Sequence, residues 1–378
     1  MSQSAVSFSS IGTLARASGF VRTTARHHAW FLACSLLYIA TIVLLLEVLD
    51  RPYTILDRFY LLAALAPPLI AALSVVIGQS VFHILHVRPF TPGGLIKALR
   101  SDDKLRLSRL AYAGIPILFV IAFQSAFTSF KSSITVMNPF QYDVLFMEID
   151  RWLHFGRHPW EWLQPLLGYP AVTSVISFAY KLWFGVFYLI FFWMAFSMSD
   201  PALRMRFLLS YLLCWSLLGS FSAVLLSSAG PCFYGLVVGG DDPYAPLFAY
   251  LNAADAEYQN WSLVAQAYLW ENYSQGLLNT ASGISAMPSM HVAIAALQAF
   301  LGWKISRRAG ILLTTYCVII LIGSVHLGWH YAIDGYVSIL AVFVIWKLVG
   351  WALRFHPSFA WTTDGRPDPD ATQAAAAR

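Results

Sequence analysis

Residues 287–334 read MPSMHVAIAALQAFLGWKISRRAGILLTTYCVIILIGSVHLGWHYAID, and this stretch decides the fold. An apolar run from His291 to Trp303 is followed by the basic turn Lys304, Arg307 and Arg308. A second apolar run begins near Ile311 and a third near Tyr331. Runs of about 20 apolar residues span the ~30 Å hydrocarbon core of a bilayer as helices. The run after His291 is short, so its helix is expected to begin within Met287-Pro288-Ser289-Met290, with Pro288 in the first turn, where its missing N–H costs nothing.

The same pattern extends outward. Further apolar runs begin near Trp30, Phe59, Leu110, Val172 and Phe207, which makes eight expected spans. Of the 378 residues, 58% are apolar or aromatic and only 11% are charged, against about 25% charged in soluble domains. A water-soluble enzyme, a disordered protein and a coiled coil are excluded, and the fold class is an all-α polytopic membrane protein. The net charge of +5 does not point to nucleic acid, because the basic residues follow the loops. Eighteen of the 24 Lys and Arg fall in one alternating set of connections and five in the other, which predicts cytoplasmic termini. Cys34, Cys214, Cys232 and Cys317 show no paired spacing, so neither a disulfide framework nor a zinc site is expected.

The expected organisation is a basic cytoplasmic tail (1–29), N-terminal transmembrane helices (30–128), a catalytic core (129–354) and a disordered cytoplasmic tail (355–378). The acid-free, Arg- and Ser-containing beginning also fits a transit peptide. Within the core, two long connections, 129–170 and 229–287, fall on the extracytoplasmic side. The first holds Asp143, Glu148, Asp150 and Arg151 among aromatics and is expected to form interfacial helices. The second carries Asp241, Asp242, Asp255, Glu257 and Glu271 without Lys or Arg. Asn260-Trp-Ser and Asn272-Tyr-Ser match the glycosylation triplet, a pattern frequent by chance.

Ionisable groups at membrane depth are costly, so Lys181, His291, His330 and Asp334 stand out. His330 and Asp334, four apart, share a helix face, where the carboxylate can fix the imidazole tautomer or simply satisfy a buried pair. The end of the helix after Pro288 offers N–H groups to an anion, with the Ser289 hydroxyl as a further donor and His291 beside it. Donors on one helix and an Asp-oriented His on another suit phosphoryl transfer through a phosphohistidine.

These residues resemble the type 2 phosphatidic acid phosphatase superfamily, in particular its inositol phosphorylceramide synthase branch. The Pro-Ser-Gly-His motif corresponds to Pro288-Ser289-Met290-His291 and the closing His-x-x-x-Asp to His330-Tyr-Ala-Ile-Asp334. The resemblance covers roughly 140–350 and implies a six-helix core to which the first spans are added. It implies His330 as nucleophile, Asp334 as its orienter, His291 as acid to the leaving oxygen and Ser289 in the phosphate cradle, with no metal or cofactor. The implied activity is a metal-independent lipid phosphatase, or a phosphotransferase if a lipid alcohol such as ceramide replaces water as acceptor; its partners are a lipid phosphate and the membrane.

Three positions depart from the pattern. Met290 replaces the motif glycine, Lys-x6-Arg-Pro is absent in that form, and the arginine six residues before the nucleophile is Ser324. Lys181, about 14 Å into its span if that helix starts near Val172, is the leading substitute cation, with the alternative that it snorkels outward. Arg157 is the second candidate. His326 is expected to contact phosphate or support the nucleophile, and His326-x3-His330 leaves a zinc pair open. Tyr234, in Gly230-Pro231-Cys232-Phe233-Tyr234, is a headgroup contact or an interfacial helix stop. A transporter remains the rival class; it would place ionisable groups at mid-membrane and show an internal repeat.

Overall fold

The computed structural model describes residues 6–62, 91, 107–197, 199–277, 279 and 282–355, with side chains of 6–23 and 107–110 excepted. Among these, every regular element is helical. Six helices are long and apolar enough to cross a membrane, Thr24–Val48, Ala111–Lys131, Pro170–Phe196, Pro201–Leu225, Arg307–His326 and Ala332–Phe355, and Met290–Ile305 is a shorter apolar one. Seven of the eight expected spans thus have counterparts; the span expected from Phe59 and the tail beyond 355 lie outside the described residues.

Eleven elements carry the argument: α1 (Val6–Val48), α2 (Leu107–Lys131), α3 (Asp143–Leu153), α4 (Pro170–Lys181), α5 (Trp183–Phe196), α6 (Pro201–Leu213), α7 (Ala245–Glu257), α8 (Trp261–Ser274), α9 (Met290–Ile305), α10 (Arg307–His326) and α11 (Ala332–Ala352). The short α9 is the centre of the bundle, packed on α10 and α11 and touching α5 and α6. Small residues allow that approach. A Cβ on Gly302 would meet the Ala309 carbonyl at 2.8 Å, and one on Gly335 would meet Leu321 at 2.3 Å. Val292 to Leu297 are all essentially buried, as expected of a central helix apolar on every side.

Several expectations need correction. α9 starts at Met290, with Ser289 as its N-cap; Pro288 precedes the cap and is not in the first turn. The fourth span runs from Pro170 to Phe196, with α4 and α5 joined at Leu182, which keeps helical backbone bonds to Phe178 (2.8 Å) and from Val186 (3.0 Å). The fifth starts at Pro201, earlier than Phe207, and continues from α6 through π-helical turns at Cys214–Ser222. Arg204 and Arg206 therefore sit inside a helix rather than in a loop. Arg204 is fully buried, donating to the Ala195 carbonyl at the end of α5 (3.1 and 3.2 Å) and lying over the Tyr112 ring. Helix α1 begins at Val6, so most of the expected N-terminal tail is helical.

Candidate functional site

Four helix ends meet at one end of the bundle: the C-termini of α2 and α10 and the N-termini of α9 and α11. The chain enters α11 through a tight return. Ser324, in the last turn of α10, accepts through its carbonyl from Trp329 N (2.9 Å) and His330 N (3.1 Å). Gly328, at φ +71°, makes this turn possible. The turn places the His330 ring against Asp334, Nδ1 lying 3.2 Å from Oδ2, which also accepts from Tyr331 N. In its Nδ1–H tautomer the ring donates to that carboxylate and carries its lone pair on Nε2, and the Ala286 backbone also lies within hydrogen-bond reach of the ring. Asp334 is fully buried, and its Oδ1 has no partner among the described residues.

Helix α9 supplies the facing wall. Ser289 Oγ accepts from Val292 N (3.4 Å), and Ser289 N donates to the Asp334 carbonyl (3.4 Å), so the beginnings of α9 and α11 are tied together. The His291 ring lies between Tyr180 and Trp183, with centroids 4.6 and 4.4 Å away, while its carbonyl accepts from Trp183 Nε1 (2.9 Å). The ring centroids of His291 and His330 are 6.4 Å apart. Burial, before any neighbouring charge, holds the His330 imidazole below its ordinary value, so it is neutral at physiological pH.

Helix α3 locks this constellation. Asp143, Phe146 and Asp150 occupy one buried face at helical spacing. Asp150 accepts from Ala332 N (2.6 Å) and Ile333 N (2.8 Å), capping α11 from another element. Asp143 accepts from Ala229 N (2.9 Å), Gly230 N (2.8 Å) and the Tyr331 hydroxyl (2.8 Å). Gly230, at φ +95°, leaves no room for a side chain: a Cβ would sit 2.7 Å from the Trp329 carbonyl. The sequence had placed both acids in an interfacial helix without a role.

The other expected site residues fall in different places. His326 is fully buried at the end of α10, its Nε2 2.9 Å from Thr173 Oγ1 of α4, so it joins two helices and does not meet His330 through a hydrogen bond. Tyr234 is buried in an aromatic cluster with Phe146, Tyr244, Met287 and Tyr331. Arg157 is exposed, its guanidinium stacked over Trp162. Lys181 is exposed too, and its Nζ lies 5.2 Å from the ring centroid of Trp261 in α8.

Among the described residues, the cation whose charge reaches those imidazoles is Lys131, the last residue of α2. It is partly buried, and its charge acts on both His291 and His330. A signal for it existed: Lys131 is followed, after six residues, by Asn138-Pro139, which is Lys-x6-Arg-Pro with Asn in place of Arg. Asn138 directs its amide to the Val224 carbonyl (2.7 Å), a neutral structural bond where the motif has a charge. The Tyr180 hydroxyl, on the ring stacked against His291, and Trp329 Nε1, on the ring stacked against Tyr180, are buried without hydrogen-bond partners among the described residues.

An all-α bundle with apolar spans and paired imidazoles at one end defines a polytopic membrane protein with a polar site at its helix ends. A family model described as the PAP2 superfamily matches residues 145–348, more than half of the chain, and the chain belongs to that superfamily. It is accordingly a membrane protein of a lipid phosphatase and phosphotransferase family. No curated protein and no solved structure matches it.

Proposed function

We propose that the protein cleaves a lipid phosphoester through a phosphohistidine on His330. The observation that carries this reading is the convergence of the Asp334-bonded His330 with His291 and the N-terminus of α9, 6.4 Å apart ring to ring. His330 Nε2 attacks phosphorus, the P–N bond forms, and the bond from phosphorus to the lipid oxygen breaks as His291, which takes up a proton when the phosphate anion binds beside it, gives that oxygen its proton. In the second half His291 takes a proton from the incoming hydroxyl, whose oxygen displaces the imidazole. Asp334 keeps Nδ1–H in place and stabilises the charge that the ring acquires.

Lys131, the free N–H groups of α9 and the donors of Trp329 and Tyr180 hold the phosphate oxygens in this scheme, so Lys131 takes the place first given to Lys181. Helix α2 then counts with the five spans of residues 170–355 as the six-helix core. No step needs a metal, because two imidazoles and a carboxylate supply nucleophile, acid and orienter. Water as acceptor makes a phosphatase, and a lipid hydroxyl, ceramide-like, makes a transferase of the inositol phosphorylceramide synthase kind.

The eighteen-to-five division of basic residues supports cytoplasmic termini and a site opening on the extracytoplasmic leaflet. A single cysteine at exposed Glu257, in a background without the native four, is expected to react with an impermeant maleimide in intact cells. Labelling only after lysis would reverse the orientation. For the chemistry, purified protein is given phosphate-labelled lipids with and without EDTA and with and without ceramide. Label in free phosphate or in a new lipid, unaffected by EDTA, is expected; transport of lipid with no bond broken would overturn the reading.

A further inference from the structure

The π-helical turns at Cys214–Ser222 join α1, α2 and the start of α9. Ser220 Oγ donates to the Trp215 carbonyl five residues back (3.2 Å), the spacing of a π turn. A hydroxyl has one proton, so toward the Tyr38 hydroxyl of α1 Ser220 Oγ is the acceptor (2.7 Å). Tyr38 is buried, and its ring stacks on Phe123 of α2 with centroids 4.2 Å apart. One turn further along α2, Phe127 meets Trp215 edge-on at 4.7 Å. Tyr38, Phe123 and Phe127 all lie outside the 145–348 family match.

Gly219, next to Ser220, faces the site. A Cβ there would stand 3.2 Å from Met290 Sδ and 3.0 Å from Phe127 Cε2, both closer than ordinary contact. Met290 is the first residue of α9, between Ser289 and His291, and it stands where the superfamily pattern has glycine. Its thioether needs space, and the glycine that gives it space is on the facing wall. Bonding from i to i+5 adds a residue to the turn. A return to the α register would rotate Gly219 and Ser220 away from Met290 and Tyr38 by roughly 100°.

We propose that Tyr38 and Gly219 are positioning residues for the start of α9. Tyr38 holds the π register through Ser220, the register keeps Gly219 against Met290, and the room so made sets where Met290, Ser289 and His291 stand. Helix α1 thereby takes part in the reaction from outside the family match. In its effect on turnover the inference rests on the lipid-phosphate reading above.

Two measurements on the full-length protein test it. Hydrogen exchange reads the start of α9 without any substrate, at Val292 and Ala293, whose N–H groups are bonded to Ser289. Tyr38→Phe keeps the stacked ring and loses only the hydroxyl, and it is expected to speed exchange there by about tenfold. Tyr53→Phe, whose hydroxyl is bonded to Glu47, is expected to leave it unchanged. Unchanged exchange in Tyr38→Phe, or equal acceleration in Tyr53→Phe, would overturn the role of Tyr38 whatever the protein turns over.

The second measurement is a double-mutant cycle on kcat for a lipid phosphate. Alanine is favoured over glycine inside a helix, so a loss in Gly219→Ala arises from its contacts. Gly219→Ala is expected to lower kcat about tenfold or more, the effect of a small misplacement at the reacting groups. In a Met290→Ala background, where the sulfur is gone, the same change is expected to cost less than about twofold, whereas in a Phe127→Leu background the full loss is expected to remain. Relief by Phe127→Leu as complete as by Met290→Ala, or no relief by Met290→Ala, would overturn the role of Gly219. A protein that turns over no lipid phosphate would count against the catalytic reading, and exchange would still decide whether Tyr38 positions α9.

Discussion

The two long connections at the site end of the bundle carry similar numbers of acids and use them in opposite ways. In the connection between α2 and α4, Asp143 and Asp150 are buried, and they accept between them four backbone N–H groups and one hydroxyl from the segments that carry the site. In the connection before α9, Asp241, Asp255, Glu257 and Glu271 are exposed, and Asp242 and Asp255 serve only nearby backbone, at Tyr244 N (2.9 Å) and Asn260 N (2.6 Å). The difference lies in spacing and partner. Asp143 and Asp150 are two helical turns apart on the face that α3 turns inward, so one short amphipathic helix holds both the Gly230 turn and the start of α11. An acid at a membrane surface thus gains a structural role when it meets the unpaired N–H groups of another helix end.

Breaking the buried set is expected to cost most. Asp150→Ala strands two buried N–H groups at about 1–3 kcal/mol each and loosens His330 and Asp334, so activity should fall about 100-fold or more with a measurable drop in melting temperature. An activity loss below about tenfold would show that α11 holds its own start. Asp143→Asn should be milder, about 10- to 30-fold in activity, because an amide oxygen still accepts but its NH2 group faces further donors. On the other connection, Asn260→Ala removes the cap of α8 and is expected to cost about 1 kcal/mol of stability with turnover little changed. Asp241→Ala should shift stability by no more than about 0.5 kcal/mol. If the Asn260 and Asp241 variants matched the Asp150 variant in lost turnover, the contrast between the connections would fail.

Asp150 also sharpens the comparison through pH. Burial first, and then the charge of Asp334, raise its carboxyl to about 7, against its two backbone bonds and nearby His154. A carboxyl raised above its unfolded value binds its proton more tightly in the folded state. Its ionisation therefore costs stability progressively as pH climbs from the ordinary carboxylate range to about 7. Ionisation nevertheless gives the start of α11 two acceptor oxygens, so activity is expected to rise through about pH 7 while stability relative to Asp150→Asn falls. In Asp150→Asn that acidic limb should vanish; an identical limb in the variant would assign it to another group.

The membrane fold was legible because apolar run length is a local property, and so was the meeting of His291, His330 and Asp334 at one end of the bundle, since alternate helix ends share a face. What escaped was tertiary. Lys131 reads as one more basic residue at the end of a span, and Asn138 disguises the motif that would have marked it. Lys181 attracted notice as a lysine within an apolar run, yet its long stem carries the ammonium out to Trp261. The roles of Asp143 and Asp150 depend on N–H groups up to 183 residues away, which no spacing rule within α3 reveals.

The central claim is that His330 becomes covalently phosphorylated, and rapid quench of purified protein with phosphate-labelled lipid tests it most directly. The account expects acid-labile, base-stable label on the peptide containing His330, formed at least as fast as turnover, and neither label nor turnover in His330→Asn. Undiminished turnover in His330→Asn, or wild-type turnover with no label on that peptide at any time, would contradict it.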